Sequence, residues 1–202
     1  MTEKSFVKVS FDKDQLVKIK TEAVRGRGCS DRISLALACR LLDSSNPKFS
    51  PFHVLDEIDY LEGIRPSSKT KCEEKFKKLP LFPFWHKHFF SARHLVKNLS
   101  IRWGMANGGN RDLDKLFDEV AKQHGDDPDA WPSYLVNQLV IGGFEERAAR
   151  GLTGDWLIYA KYENRNYYLD LATHEEGVGE KANALFKKLR NGCQAEFPFL
   201  FG

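Results

Sequence analysis

Histidines concentrate in the middle of the chain, in the run Trp85-His86-Lys87-His88-Phe89-Phe90. Imidazole titrates near neutral pH, so His86 and His88 could act as a general acid and a general base. In an extended run both imidazoles point to one side and Lys87 points to the other. In a helix the two histidines would lie on opposite faces. The sequence does not fix this choice.

Three interpretations of this run are open. A His-x-His pair on a strand can bind a metal, but no third ligand follows at a recognisable spacing, so we predict neither a metal nor a cofactor. The aromatic residues could instead pack in the core while the imidazoles bond to the backbone. In the third interpretation the site is functional and free of metal, and Lys87, Arg93 and His94 bind phosphate.

A further histidine, His174, follows the second of two segments that are rich in strand-forming residues. Tyr159 lies on the first of these segments. A histidine at a strand end, close to tyrosines, can act as an acid or base on a ribose 2′-OH. The plain alternative is a surface hairpin with an ordinary loop histidine.

The two segments are 154–160, Gly-Asp-Trp-Leu-Ile-Tyr-Ala, and 168–174, Tyr-Leu-Asp-Leu-Ala-Thr-His. Together they resemble the closing hairpin of RelE-like bacterial ribonuclease toxins. The resemblance implies a small α+β fold in which helices precede a sheet. It also implies metal-independent RNA cleavage. Tyr159 and His174 are the residues that it carries over, with His174 as a catalytic acid–base group and Tyr159 as a contact to the substrate phosphate. Glu175 stands where that family has an arginine.

The elements that must position these residues indicate an α+β fold. We predict a mostly helical body with a small antiparallel sheet built around the C-terminal hairpin, in one domain spanning 1–202. The Gly- and Asn-rich segment 104–111 is a candidate hinge or mobile loop. The predicted elements include a strand at 6–11, helices beginning after Asp12 or Asp14, after Ser30-Asp31 and at Pro51, a basic helix at 71–79, and a helix ending at Gly142-Gly143.

Charge is unevenly distributed along the chain, although the net charge is only +3. Residues 60–103 contain ten lysines and arginines against three glutamates, whereas 111–130 contain seven acidic residues against three basic ones. A basic segment of this kind favours RNA or another anionic partner. Alternatively, the two segments face each other or are merely solvated.

Four scattered cysteines predict buried thiols and a reducing, cytoplasmic location, and no apolar run is long enough to cross a membrane. Two functions remain. The first is a metal-independent RNA-cleaving or RNA-binding protein of toxin or defence type, with His86, His88 and His174 as acid–base groups. The second is a non-catalytic protein-binding module such as an immunity, inhibitor or adaptor protein, which the 12% aromatic content favours. A cleft shared by His174 and the central histidines would separate them.

Overall fold

The computed structural model describes residues 11–43, 50–91, 94–124, 131–152 and 154–202. It confirms an α+β fold that is mostly helical, with one small antiparallel sheet. The helices are α1 Lys13–Ala23, α2 Leu35–Leu42, α3 Pro51–Leu61, α4 Leu95–Trp103, α5 Arg111–His124, α6 Trp131–Val136, α7 Gly143–Ala149 and α8 Lys181–Cys193. The strands are β1 Glu74–Lys75, β2 Trp85–Phe89, β3 Asp155–Tyr162 and β4 Arg165–Ala172.

The sheet has the strand order β1-β2-β3-β4, and every neighbouring pair is antiparallel. The central histidine run is therefore extended, as strand β2. His88 pairs with Trp156, and Lys87 pairs with Leu157. Because paired residues share a face and successive residues alternate, His86 and His88 lie on the same face as Trp156. Lys87 lies on the opposite face.

Helices cover both faces of this sheet. On one face, α1, α2 and α3 bury a core that includes Leu37, Ile58 and Tyr159. On the other, α8 and the C-terminal tail pack over Ile158 and its neighbours. The result is a helix–sheet–helix arrangement, in which each face of β2 serves a different core.

Helices α4 to α7 form an excursion of the chain between β2 and β3. The excursion has a small core of its own around Trp103, Leu116 and Val120. Arg102 fastens it, because its Nε donates to Glu146 at 2.7 Å and its Nη1 donates to Asp112 at 3.0 Å. The contact with Asp112 joins one residue of the basic segment to one residue of the acidic segment.

The segment predicted as a hinge or mobile loop forms a hydrogen-bonded turn. Gly104 ends α4 in the left-handed conformation with φ 63°, and a 3₁₀ turn follows at Met105–Asn107. The Asn110 side chain then donates to the Arg102 carbonyl at 2.7 Å and accepts from the Leu113 amide at 3.0 Å. These bonds connect the end of α4 to the start of α5.

Several local predictions are confirmed. Asp12 caps α1, since its Oδ1 accepts from the Gln15 amide at 2.8 Å, and Pro51 is the first residue of α3. The hairpin of β3 and β4 is also present. The C-terminal tail packs on the body, with Phe197 and Phe201 buried. The predicted strand at 6–11 falls almost entirely outside the described residues.

Other local predictions are wrong. The expected basic helix at 71–79 is the short strand β1, which pairs with β2. Ser34 rather than Ser30 or Asp31 caps α2. The helix expected to end at Gly142-Gly143 continues through a π-helical turn into α7. Gly143 is required there because a Cβ would lie 2.4 Å from the indole Nε1 of Trp103.

In the described part of the chain, no helix combines the length and apolar character needed to cross a membrane. All four cysteines are free thiols. Cys29 and Cys193 are buried as predicted, whereas Cys39 and Cys72 are exposed.

Candidate functional site

A cleft of about 840 Å³ opens beside strand β1, between the turn that follows it and the loop that precedes α8. It brings His86, His88 and His174 together with Trp156. We call it the histidine cleft. Its charged lining consists of four lysines and one glutamate, namely Lys71, Lys75, Lys77, Lys78 and Glu74. The cleft therefore combines imidazoles with a surplus of positive charge.

The indole of Trp156 lies between the two parts of the site. Its ring centroid is 4.4 Å from that of His86 and 4.8 Å from that of His174. Gly177, in the loop after β4, approaches the same indole so closely that a Cβ would lie 1.9 Å from it. His86 and His174 therefore share one site, although they are 88 positions apart in the sequence.

His86 is buried on β2, and its Nδ1 has no hydrogen-bond partner among the described residues. Its Nε2 lies 4.0 Å from the Glu74 carboxylate. Burial, assisted by the nearby His174, lowers the pKa of His86 to about 4. The ring is thus neutral at pH 7, and the Nε2–H tautomer avoids burying an unpaired N–H. His86 offers the cleft a hydrogen-bond donor.

His88 is buried deeper in the site, and both of its ring nitrogens have protein partners. Its Nε2 accepts from the indole N–H of Trp156 at 3.3 Å, and its Nδ1 lies 3.1 Å from the carbonyl oxygen and 3.2 Å from the amide nitrogen of Gly154. Burial lowers its pKa to about 4. This geometry makes His88 a residue that positions Trp156, in place of the acid–base role predicted for it.

His174 is the exposed histidine of the cleft, in the loop between β4 and α8. Partial burial lowers its pKa, and the positive charges of Lys97 and Lys71 lower it further. Its loop is held by two bonds, from the Thr173 amide to the Glu176 carboxylate at 2.7 Å and from the Glu176 amide to the Thr173 hydroxyl at 3.3 Å. An accessible imidazole that is neutral at pH 7 suits a general base.

His94 lies immediately before α4, with its Nε2 3.3 Å from the Asp155 carboxylate. The pair is largely buried, with 14% and 8% of the two side chains exposed. His94 is close enough to His174 to lower the pKa of that histidine. A carboxylate in this position can accept a hydrogen bond from the imidazole and orient its ring. Arg93, the other predicted phosphate ligand of this region, lies outside the described residues.

Lys87 does not face the cleft. It is fully buried on the opposite side of β2, where its ammonium lies 2.9 Å from the Glu57 carboxylate and donates to Ser68 Oγ at 3.0 Å. It also donates to the Lys71 carbonyl at 2.7 Å. This environment corrects the predicted phosphate contact, because the ammonium is enclosed and already bonded. Burial lowers the pKa of Lys87.

Tyr159 is likewise fully buried on the face opposite the histidine cleft. Its ring packs between Trp85 and Tyr168, and its hydroxyl has no hydrogen-bond partner among the described residues. Burial strongly raises its pKa. The role that the resemblance gave to Tyr159 therefore finds no accessible hydroxyl here, and Tyr159 shares no surface with His174.

Sequence reasoning missed the cleft lysines and Trp156. Lys71, Lys75, Lys77 and Lys78 belong to the basic segment, so their charge was visible, but a predicted helix would have spread them around its axis. Trp156 was visible only as a strand residue. Its pairing with His88 across two strands could have been found only once the register of β2 was known.

Within the described ranges, no three His, Cys, Asp or Glu side chains are grouped so as to hold a metal ion. No protein-family model matches the chain, and comparison with curated proteins and with solved structures finds no similar protein. The resemblance of the hairpin to RelE-like toxins remains a prediction, and the geometry of the cleft carries the functional argument.

Proposed function

We propose that the histidine cleft binds RNA through its phosphates and cleaves it by imidazole acid–base chemistry. The observation that carries the proposal is the meeting of the exposed His174 with the buried His86 across Trp156, inside a cleft lined by four lysines. The lysines attract a polyanion, and the exposed imidazole of His174 supplies a group that can transfer a proton near neutral pH. Neither function needs a bound metal.

The reaction that suits these groups begins at a ribose 2′-OH. His174 takes the hydroxyl proton, the 2′-oxygen bonds to the adjacent phosphorus, and the bond from phosphorus to the 5′-oxygen breaks. The departing 5′-oxygen takes up a proton from solvent, since His94 is enclosed against Asp155 and is not among the residues that line the cleft. His86 donates its Nε2–H to a phosphate oxygen, and the lysines offset the charge that develops. The products are a 2′,3′-cyclic phosphate and a 5′-hydroxyl.

Incubating the purified protein with labelled RNA in EDTA tests this proposal. We expect cleavage products ending in a cyclic phosphate, and a loss of about a hundredfold or more in rate for His174→Ala. His53→Ala is the matched control, because His53 lies on α3 and packs against Phe90, away from the cleft. Intact RNA at high protein concentration would reject the catalytic proposal.

A second candidate is suggested by the helical excursion. Large aliphatic side chains are exposed on α4 and on the helix that follows α5, including Val96 at 77%, Val136 at 61% and Ile141 at 56%. Such side chains favour a protein partner over an RNA one. An inhibitor or adaptor that binds through them would lose its partner in a Val96→Ser/Val136→Ser variant, and its affinity would change little with salt. Steep salt dependence would favour RNA.

A further inference from the structure

The edge of the histidine cleft carries large apolar side chains in solvent, next to its lysines. Leu79 is 81% exposed and Phe82 46% exposed, both on the turn between β1 and β2. Val178, on the loop that carries His174, is 49% exposed. Leu79 and Val178 line the cleft, and Phe82 lies outside its lining, beside the lining residue Lys75. Exposed apolar side chains that flank a cationic cleft indicate a ligand with both apolar and anionic parts.

The same turn alternates charge with apolar surface. Lys77 and Lys78 directly precede Leu79, and the Lys75 ammonium lies 4.7 Å from the centroid of the Phe82 ring. A single strand of nucleic acid has matching chemistry, because its unstacked bases lie beside its phosphates. A duplex hides its bases and presents sugar and phosphate, which would leave the apolar side chains against a charged backbone.

The size of the cleft supports the same conclusion. A volume of about 840 Å³ is in the range of pockets that hold one small ligand, and it is far too small to enclose a double helix. We infer that the cleft selects single-stranded RNA over duplex RNA, with bases against Leu79, Phe82 and Val178 and phosphates on Lys75, Lys77 and Lys78. The inference rests on the proposed function and specifies the form of its substrate.

Binding of a 2′-O-methyl oligonucleotide tests the inference without cleavage, because the methyl group removes the 2′-OH. The labelled single strand and the same sequence closed in a hairpin are compared by fluorescence anisotropy at equal salt. We expect the single strand to bind about tenfold or more tightly, the amount that stacking of one or two bases supplies. Equal affinities would overturn the inference.

The double variant Leu79→Ser/Phe82→Ser should lower the affinity for the single strand about tenfold and leave that for the hairpin unchanged. Phe52→Ser is the matched control, because Phe52 is 57% exposed on α3, on the other face of the sheet. An equal loss for both ligands, or no loss for either, would contradict the assigned base contacts.

A last measurement separates the inference from the proposed function. Lys77→Gln should reduce the slope of log affinity against log salt by about one unit, because one phosphate contact is lost. Equal binding of strand and hairpin with this slope change rejects strand selection alone. Binding to neither ligand, with no cleavage of unmodified RNA, rejects both.

Discussion

Among single residues, burial rather than residue type separates the three histidines of the cleft. His86 and His88 are enclosed, and each has a pKa of about 4. His174 is exposed and has a pKa that is lowered less strongly. One imidazole can therefore exchange protons with solvent and substrate, while the other two stay neutral and orient their surroundings.

The buried histidines predict that the protein loses stability in mild acid. In the unfolded chain each histidine titrates near 6.5, whereas in the fold it titrates near 4. Between these values the unfolded state binds more protons, so the free energy of unfolding falls as the pH falls from about 6.5 to about 4. We expect a loss of up to about 3 kcal/mol for each histidine.

Urea unfolding at pH 7 and pH 5 measures this effect. His88→Gln should lower the stability at both pH values and reduce the difference between them. Val96→Ser, at a non-titrating site that is 77% exposed, should leave the difference unchanged. A stability that does not change between the two pH values would contradict the burial of both imidazoles.

Substitution of the buried Lys87 should lower the stability of the fold without directly removing a contact to RNA. Lys87→Met leaves Glu57 buried, with 5% exposed, and without its cation, which should cost about 3–5 kcal/mol. Adding Glu57→Leu should restore part of the loss. Urea unfolding measures both effects.

Lys77→Gln should behave in the opposite way, with normal stability and weaker RNA binding. An unchanged dependence of its RNA affinity on salt would contradict the phosphate contact assigned to Lys77.

At the scale of elements, the loop between β4 and α8 places the exposed histidine of the cleft. Gly177 permits this because its backbone lies against the Trp156 indole. We expect Gly177→Ala to displace the loop and reduce cleavage about a hundredfold, since a shift near 1 Å has effects of that size. Cleavage rates and tryptophan fluorescence would both report the displacement.

Gly28→Ala is the matched control for that loop, since a Cβ at Gly28 would meet no atom within 4 Å. It should leave both the rate and the fluorescence unchanged. Normal activity and fluorescence in Gly177→Ala would mean that the loop does not depend on this contact.

Elements with a local signal could be predicted from the sequence. Asp12 and Pro51 mark helix starts through their own chemistry, and the hairpin of β3 and β4 shows in its strand-forming residues. Strand β1 has only two residues and exists because β2 pairs with it, so no period reveals it. The pair Gly142-Gly143 looks like a helix end, yet close packing against Trp103 explains Gly143.

The candidate site, like the fold, could be predicted only in part from the sequence. Residue type alone was enough to predict His86, His88 and His174 as candidate site residues. Their separate roles could not, because the roles depend on burial and on Trp156, which only the register of β2 and β3 brings to them. Lys87 and Tyr159 were plausible by type and were placed in the other core by strand alternation.

At the scale of the whole molecule, the C-terminal tail completes the core behind the cleft. Phe197 and Phe201 are 4% and 9% exposed, and both belong to the core under α8. Removing residues 197–202 should cost about 3 kcal/mol or more and lower the melting temperature by about 10 °C. Removing the exposed Gly202 alone should have no effect. An unchanged melting temperature in the longer truncation would show that the tail does not support the fold.

The pairing of Phe89 with Asp155 has a consequence for how this architecture can vary. The chain leaves the sheet for α4–α7 and returns to it at directly opposed positions of two neighbouring strands. Without the excursion, the remaining strands are a plain antiparallel meander in which a short turn could join β2 to β3. Helices α4–α7 are therefore an insertion between two paired strands, and a deletion that joins β2 to β3 by a short turn should leave the strand register and the positions of His86, His88 and His174 unchanged.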